Sequence, residues 1–176
     1  MECFLDYYDP VVRGTCHLLK DSQNNTSFNE AIQEVAIQMV KTGMVGINDI
    51  LIPAPGHEGR STYTRYIAGI VAYKTGAHVA DILRCEPHEP LYDIKTRGEY
   101  PHIRFYLEGK IPKNKRLFFV DNVIATGYTF LTADGLFNGK LIPLVYAVDY
   151  EMLRLSNPAL SEFITYIKQQ EKRRII

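Results

Sequence analysis

A run of polar residues follows a short apolar stretch in the second half of the chain. The apolar residues are Leu117–Val120, and the polar ones are Asp121, Asn122, Thr126, Gly127 and Thr129. At a helix start, free backbone N–H groups and threonine hydroxyls donate to phosphate, and a glycine lets the backbone approach it closely. A carboxylate and an amide just upstream can hydrogen-bond a vicinal diol. The pattern therefore favours a ribose 5-phosphate as ligand.

A second loop, upstream of the first, also suits an anion. An apolar strand ends in prolines, and Gly56–Arg60 follows at the predicted start of a helix. Gly56 and Gly59 permit close approach of the backbone, and the Arg60 guanidinium can bind phosphate through two hydrogen bonds. His57 is either a hydrogen-bonding loop residue or a ligand or acid.

A charged segment, from Arg84 to Pro101, separates these two loops in the sequence. It is polar and contains prolines, which predicts a long loop. Such a loop in a compact domain is either functional or disordered. Arg84, Lys95 and Arg97 are its candidate anion-binding cations, and for each of them a place in a solvated surface loop is the alternative.

Strands and helices alternate along the chain and must position these loops. Apolar periodicity predicts helices over Phe28–Val40, from Ser61 or Thr62 to about Lys74 with Tyr66, Ile67, Ile70 and Val71 inward, over Thr129–Phe137, and from Pro158 onward. Apolar runs predict strands at Asp49–Pro55, His78–Leu83, Ile103–Leu107, Leu117–Val120 and Leu141–Val148. The alternation indicates a doubly wound, mainly parallel α/β sheet flanked by helices, which binds ligands beyond the carboxyl ends of its strands.

The composition indicates one domain and excludes several classes of protein. The chain has 176 residues, 46% of them apolar, with 20 basic and 20 acidic side chains. No window approaches the ~18 apolar residues of a membrane span, and the balanced charge argues against a nucleic-acid binder that relies on overall basicity. Cys3, Cys16 and Cys85 lack the spacing of a disulfide framework or a zinc site. We expect buried, inert thiols in a cytoplasmic protein.

The segment Leu117–Thr129 resembles the thirteen-residue signature of type I phosphoribosyltransferases, which bind phosphoribosyl pyrophosphate (PRPP). Asp121 matches the first acidic position, and the loop from Thr126 to the closing hydroxyl of Thr129 matches as well. Asn122 stands in place of the usual second acid, and Ala125 in place of a common hydroxyl. The strand and loop around Arg60 are similar to those of the competence-protein F-like branch.

The resemblance implies the type I phosphoribosyltransferase fold for a single domain over 1–176, with its core at about 48–148 and helices added at both ends. A small hood would be built from the chain ends, and a mobile loop would close over the site. The implied activity is that of a glycosyltransferase, which transfers ribose 5-phosphate from PRPP to a nitrogenous base or related nucleophile and releases pyrophosphate.

The same resemblance assigns roles to individual residues. Those implied for catalysis are Asp121, Asn122, Arg97, Arg84 and Lys95, and those for the 5-phosphate and pyrophosphate are Ala125, Thr126, Gly127, Tyr128, Thr129, Gly56, Gly59 and Arg60. Mg²⁺ is the implied cofactor, held mainly by substrate oxygens, with Asp121 as the candidate protein ligand.

Several alternatives stay open at this point. Because Asn122 removes a negative charge, a non-catalytic PRPP or nucleotide sensor on the same fold is the rival function. Asp149 either accepts a hydrogen bond from the acceptor base or caps a helix. Direct nucleic-acid binding by the tail Lys168–Arg174 is the weaker reading, since its alternating charges suit a solvated helix. We expect a homodimer or larger assembly.

Overall fold

The computed structural model describes residues 4–7, 9–20, 26–99 and 101–162, which contain six helices and seven strands with both ends defined. Residues 158–162 are helical as well, as predicted from Pro158 onward. The side chains of residues 4–7, Tyr92, Lys95 and Thr96 lie outside that description. The strands are β1 Phe4–Tyr7, β2 Ile50–Pro53, β3 His78–Val79, β4 Leu83–Cys85, β5 Phe105–Leu107, β6 Leu117–Ile124 and β7 Leu141–Val148. The helices are α1 Pro10–Leu18, α2 Thr26–Lys41, α3 Tyr63–Thr75, α4 Leu91–Thr96, α5 Tyr128–Leu136 and α6 Tyr150–Ser156.

Five of the strands form one parallel sheet in the order β1-β7-β6-β2-β3. The other two, β4 and β5, pair antiparallel in a small separate sheet. The α/β architecture and the parallel sheet flanked by helices are thus confirmed. Both candidate loops leave the carboxyl ends of neighbouring strands, because β2 and β6 lie side by side.

Alternating side chains of β2 and β6 fill two apolar cores, one on each face of the sheet. Ile52 and Phe119 pack with α5, α6 and the small sheet, whereas Leu51 and Phe118 pack with α1, α2 and α3. Strands buried on both faces read as continuous apolar runs, which is why this part of the sheet could be predicted from the sequence.

Three predicted element boundaries are wrong. The strand predicted to stop at Val120 continues to Ile124, so Asp121 and Asn122 lie inside it. The run His78–Leu83 divides between two sheets, since β3 pairs with β2 while β4 pairs with β5. The segment Arg84–Pro101 is not a structureless loop, because it contains the end of β4 and all of α4.

Some features of the chain ends and of α3 also differ from expectation. The edge strand β1 lies outside the expected core, and α6 occupies a place where no helix was predicted. In α3, Ile67 is fully buried as expected, but Tyr66 is 61% exposed. Thr62 precedes this helix without capping it through its side chain. The tail Lys168–Arg174 lies outside the described residues.

An ion pair at the opposite end of the sheet from the candidate loops fastens β2 to β6. Arg116, just before β6, donates from Nε and Nη2 to the two carboxylate oxygens of Asp49, just before β2, at 3.0 and 2.5 Å. Asp49 is 5% exposed and also accepts from the Gly46 N–H. The guanidinium lies 5.3 Å from the centre of the Phe118 ring, within cation–π range.

We expect Arg116→Met to lower the free energy of unfolding by about 1–3 kcal/mol, because it leaves a buried carboxylate short of its partner. Urea unfolding measures the effect, with Lys115→Met, an exposed neighbour, as the matched control. Equal unfolding of the two variants would show that the pair does not stabilise the β2–β6 junction.

Candidate functional site

Gly127 forms the turn from β6 into α5 at the centre of the signature segment. Its φ is +77°, a left-handed conformation that favours glycine, and it occupies the N-cap position of α5. The N–H groups of Thr129 and Phe130 make no hydrogen bond within the described part of the chain. The Tyr128 N–H has a 3.4 Å contact with Thr126 Oγ1. The turn therefore presents free donors at the positive end of a helix, as an anion site requires.

Asp121 lies three residues before the end of β6, and its carboxyl group is mostly enclosed by protein. Loss of hydration raises its pKa from 3.8 to about 7, although the Asn122 N–H donates to Oδ1 at 2.8 Å and Lys20 exerts a weaker opposing attraction. The group therefore changes charge near neutrality. A carboxylate poised in this way can accept hydrogen bonds from sugar hydroxyls when it is ionised.

Asn122 is buried on the α1–α3 side of the sheet rather than open to solvent. It is 4% exposed, and its Oδ1 accepts a 2.9 Å hydrogen bond from the Tyr63 hydroxyl. Its Nδ2 faces the Cys16 thiol without making a regular hydrogen bond. A carboxylate at position 122 would lose its hydration, so ionising it there would be costly in free energy. This cost is a physical reason for an asparagine where the phosphoribosyltransferase signature has an acidic residue. The ribose contact expected of Asn122 stays a prediction, and its Oδ1 is already bound by Tyr63.

The loop Gly56–Arg60 is a closed turn at the carboxyl end of β2. The Gly56 N–H donates to Arg60 O and the Gly59 N–H to Gly56 O, so these two donors are already used. Gly59 has a φ of +94°, and a Cβ there would lie 2.7 Å from Cys85 O. Arg60 is exposed and makes no ion pair with any described residue. Of the three residues predicted to bind anion here, Arg60 is the one with donors available.

The three cations predicted in the charged segment have different environments. Arg84 is 9% exposed and bound by Asp81 and Glu108 at 2.8 Å each, so its charge is already neutralised inside the protein. Arg97 is exposed, with Glu89 and Glu99 at 2.7 and 3.0 Å. Exposed ion pairs contribute little to stability, whereas buried ones are costly to break. Arg97 can therefore exchange partners for a ligand, and Arg84 serves the fold. The Lys95 side chain lies outside the described residues.

The segment between β4 and β5 contacts one candidate loop near its start and the other candidate loop near its end. Upstream, the His88 N–H donates to His57 O at 2.9 Å. Downstream, the Tyr128 hydroxyl accepts from the Ile103 N–H at 3.1 Å, and its ring packs edge-on against Phe105. The segment that carries Arg97 thus starts beside one loop and ends beside the other, a relation that the sequence did not reveal.

The C-terminal part of the described chain covers one side of the Gly127 turn. A Cβ at Gly127 would lie 2.6 Å from Leu160 Cδ2 and 3.3 Å from Leu153 Cδ1. Asp149 accepts from the Met152 N–H at 3.1 Å and caps α6, which is one of its two predicted roles. Close packing therefore adds a second reason for glycine at 127.

Other features of the described residues lie apart from these loops. An open groove of about 390 Å³ on the outside of α3 is lined by Tyr66, Gly69 and Tyr73. No cluster of three or more His, Cys, Asp or Glu side chains that could hold a metal ion occurs among the described residues. Among them, too, no helix has the length and apolarity needed to span a membrane.

The two cysteines in the described ranges are buried, as predicted. Burial raises the pKa of Cys16 to about 12 and that of Cys85 to about 11, so both are protonated thiols at neutral pH. Such thiols are poor nucleophiles. Cys3 lies outside the described residues.

Compared with protein-family models the chain matches none, and a search of the curated proteins finds no match either. The resemblance to type I phosphoribosyltransferases therefore rests on the order and spacing of residues in the chain's own loops.

We expect Asp121→Asn to make stability less dependent on pH. The pKa of Asp121 is about 7 in the folded protein, whereas an aspartate without these surroundings has a pKa of 3.8. The folded state therefore binds this proton more tightly than the unfolded state does. The wild type therefore loses stability as pH rises from about 4 to about 7, and the variant does not. Urea unfolding across that range should show that the free energy of unfolding of the variant rises relative to that of the wild type as the pH increases. Glu151→Gln, an exposed substitution, should show no such gain.

Proposed function

We propose that the protein is a type I phosphoribosyltransferase, in fold and in activity. It would transfer ribose 5-phosphate from PRPP to a nitrogenous base or related nucleophile and release pyrophosphate. The acceptor would enter beside the enclosed carboxylate of Asp121. The homodimer or larger assembly expected from the sequence remains a prediction.

The observation that carries this proposal is the Gly127 turn. It follows the carboxyl end of β6, six residues after Asp121, and the N–H groups of Thr129 and Phe130 make no hydrogen bond among the described residues. The neighbouring strand β2 ends in the loop with Arg60, which makes no ion pair with a described residue. In the proposed function these groups would serve as the 5-phosphate donors, the ribose-binding carboxylate and the cation for pyrophosphate.

The chain's own groups would act by positioning and by electrostatics. The N–H groups of the Gly127 turn, with the Thr126 and Thr129 hydroxyls, hold the 5-phosphate, and Asp121 accepts hydrogen bonds from the ribose hydroxyls. As the bond to pyrophosphate breaks, the sugar gains positive charge, which ionised Asp121 stabilises. Arg60 and Arg97 stabilise the departing negative charge. Arg84 takes no part because its guanidinium is bound to two carboxylates.

The residues present are compatible with Mg²⁺ held mostly by substrate. One enclosed carboxylate, Asp121, is too few ligands for a protein cage, but Mg²⁺ commonly binds through one or two carboxylates, substrate phosphates and water. The ion would supply charge neutralisation on the pyrophosphate.

A non-catalytic PRPP sensor is the second candidate, favoured by the burial of Asn122. With its amide under α1 and α3, the site retains one carboxylate where the family pattern has two acidic residues. Binding needs the phosphate donors, whereas turnover also needs stabilisation of a cationic sugar. The two candidates therefore differ in turnover and not in affinity.

We expect replacement of both Thr126 and Thr129 by Ala to weaken PRPP binding by about 1–3 kcal/mol, because two hydroxyl donors to a charged group are lost. Isothermal titration calorimetry with PRPP and Mg²⁺ measures the change. Thr132→Ala, one turn further along α5, is the matched control and should bind as the wild type does. Unchanged affinity of a folded double variant would contradict the 5-phosphate assignment.

We expect Asp121→Asn to reduce the rate of pyrophosphate release at least tenfold while PRPP affinity changes less, because the carboxylate acts mainly on charge that develops in the transition state. The assay follows pyrophosphate release from PRPP and Mg²⁺ with a panel of nucleobases and nucleotides, with the exposed substitution Glu30→Gln as control. If wild-type protein binds PRPP tightly and releases no pyrophosphate with any acceptor, the sensor is the correct function.

A further inference from the structure

Two hydrogen bonds connect α3 with the carboxylate of the proposed site. The Tyr63 hydroxyl donates to Asn122 Oδ1 at 2.9 Å, and the Asn122 N–H donates to Asp121 Oδ1 at 2.8 Å. Asn122 is therefore held through its side chain from one element while its backbone orients the neighbouring carboxyl group. We propose that Tyr63 is a positioning residue for Asp121, an inference that rests on the proposed function.

Because Asn122 is buried, the hydrogen bond from the Tyr63 hydroxyl determines how its side chain is oriented. Its Nδ2 is shut off from solvent and has no regular hydrogen-bond partner, so the bond from Tyr63 is the one that fixes which way the amide faces. An amide that lost this donor would be buried with both ends unsatisfied, which is an unfavourable state. Without the Tyr63 hydroxyl the side chain would lose its regular hydrogen bond, and the Asn122 N–H that donates to Asp121 would be held less firmly.

The start of α3 is built so that tertiary contacts, rather than a local cap, hold it in place. Thr62, at the N-cap position, makes no side-chain capping bond. Instead, the Thr64 hydroxyl donates to Ala54 O at 2.7 Å, and Tyr63 reaches across to β6. The first bond closes the base of the Gly56–Arg60 loop, and the second connects that loop to the signature strand.

The consequence is a mechanical connection between the two halves of a PRPP site. The loop with Arg60 would hold pyrophosphate, and Asp121 would hold the ribose, so Tyr63 fixes the distance between the groups that bind the two ends of the same bond. A ligand that spans both halves depends on this distance, whereas a ligand confined to one half does not.

The test uses Tyr63→Phe, which removes only the hydroxyl, in aspartate-labelled protein followed by carbon NMR. We expect the titration of the Asp121 carboxyl to move to higher pH by roughly half a unit or more, because the N–H bond that opposes its raised pKa is loosened. PRPP affinity should fall about three- to tenfold, which corresponds to roughly 0.7–1.4 kcal/mol. Affinity for inorganic pyrophosphate alone should stay as in the wild type.

Two control variants distinguish positioning from general loosening. Tyr66→Phe alters a tyrosine on the same helix that is 61% exposed, and should change neither the titration nor the affinities. Thr64→Val loosens the start of α3 without touching the Tyr63 hydroxyl, and should leave the Asp121 titration in place.

An Asp121 titration that is the same in Tyr63→Phe and the wild type would overturn the inference, as would an equal shift in Thr64→Val. These outcomes are separate from failure of the proposed function, which would appear as absence of PRPP binding by the wild type. The NMR titration tests the role of Tyr63 in that case too, because it needs no ligand.

Discussion

The parallel pairing of β2 with β6 is the constraint on which the proposed site depends. The four residues of β2 pair in register with Leu117–Val120, and the Asp49–Arg116 ion pair closes the same junction at its other end. Because parallel strands end at the same edge of a sheet, this register brings the loop after β2 beside the one after β6. A slip of one residue would turn the apolar side chains of β2 to the opposite core, so packing on both faces fixes the distance between the loops.

Asp121 and Asn122 are two polar residues in a mostly buried strand, and they are stabilised in different ways. Asp121 remains partly accessible and holds its proton more tightly than a free aspartate, whereas Asn122 carries no charge and is bound by Tyr63. A pair of carboxylates at these adjacent positions would add mutual repulsion to the loss of hydration. The single carboxylate avoids that repulsion, and under the proposed function turnover would depend on this one group.

Arg84, Arg97 and Arg60 differ in burial and in their ion-pair partners. Arg84 is enclosed with two carboxylates and joins β4 to the end of β5, since Glu108 directly follows that strand. Arg97 has two carboxylate partners as well, but in solvent, where an ion pair is easily exchanged for another anion. Arg60 has no ion-pair partner among the described residues. Residue type alone did not separate these three side chains.

The elements that the sequence determined are those with strong local patterns. The helix Phe28–Val40 and the strand Leu141–Val148 could be read from their periodicity, and the Gly127 turn from the glycine and threonines around it. These patterns reflect the conformational preferences of the residues and the burial of one or both faces of an element. Both are visible in residues that are close together in the sequence. The order of the strands in the sheet could not be read in this way.

Tertiary structure alone decided which polar groups meet. Tyr63 and Asn122 are 59 residues apart in sequence, and Asp49 and Arg116 are 67 apart. Likewise, the extension of β6 past Val120 depends on β7, whose residues Val145–Val148 supply the neighbouring backbone. Each of these contacts depends on the packing of the sheet, and a hydrogen bond between distant residues leaves no periodic trace in the sequence. The candidate loops could therefore be predicted from the sequence, whereas the residues that orient their side chains were determined by the tertiary structure.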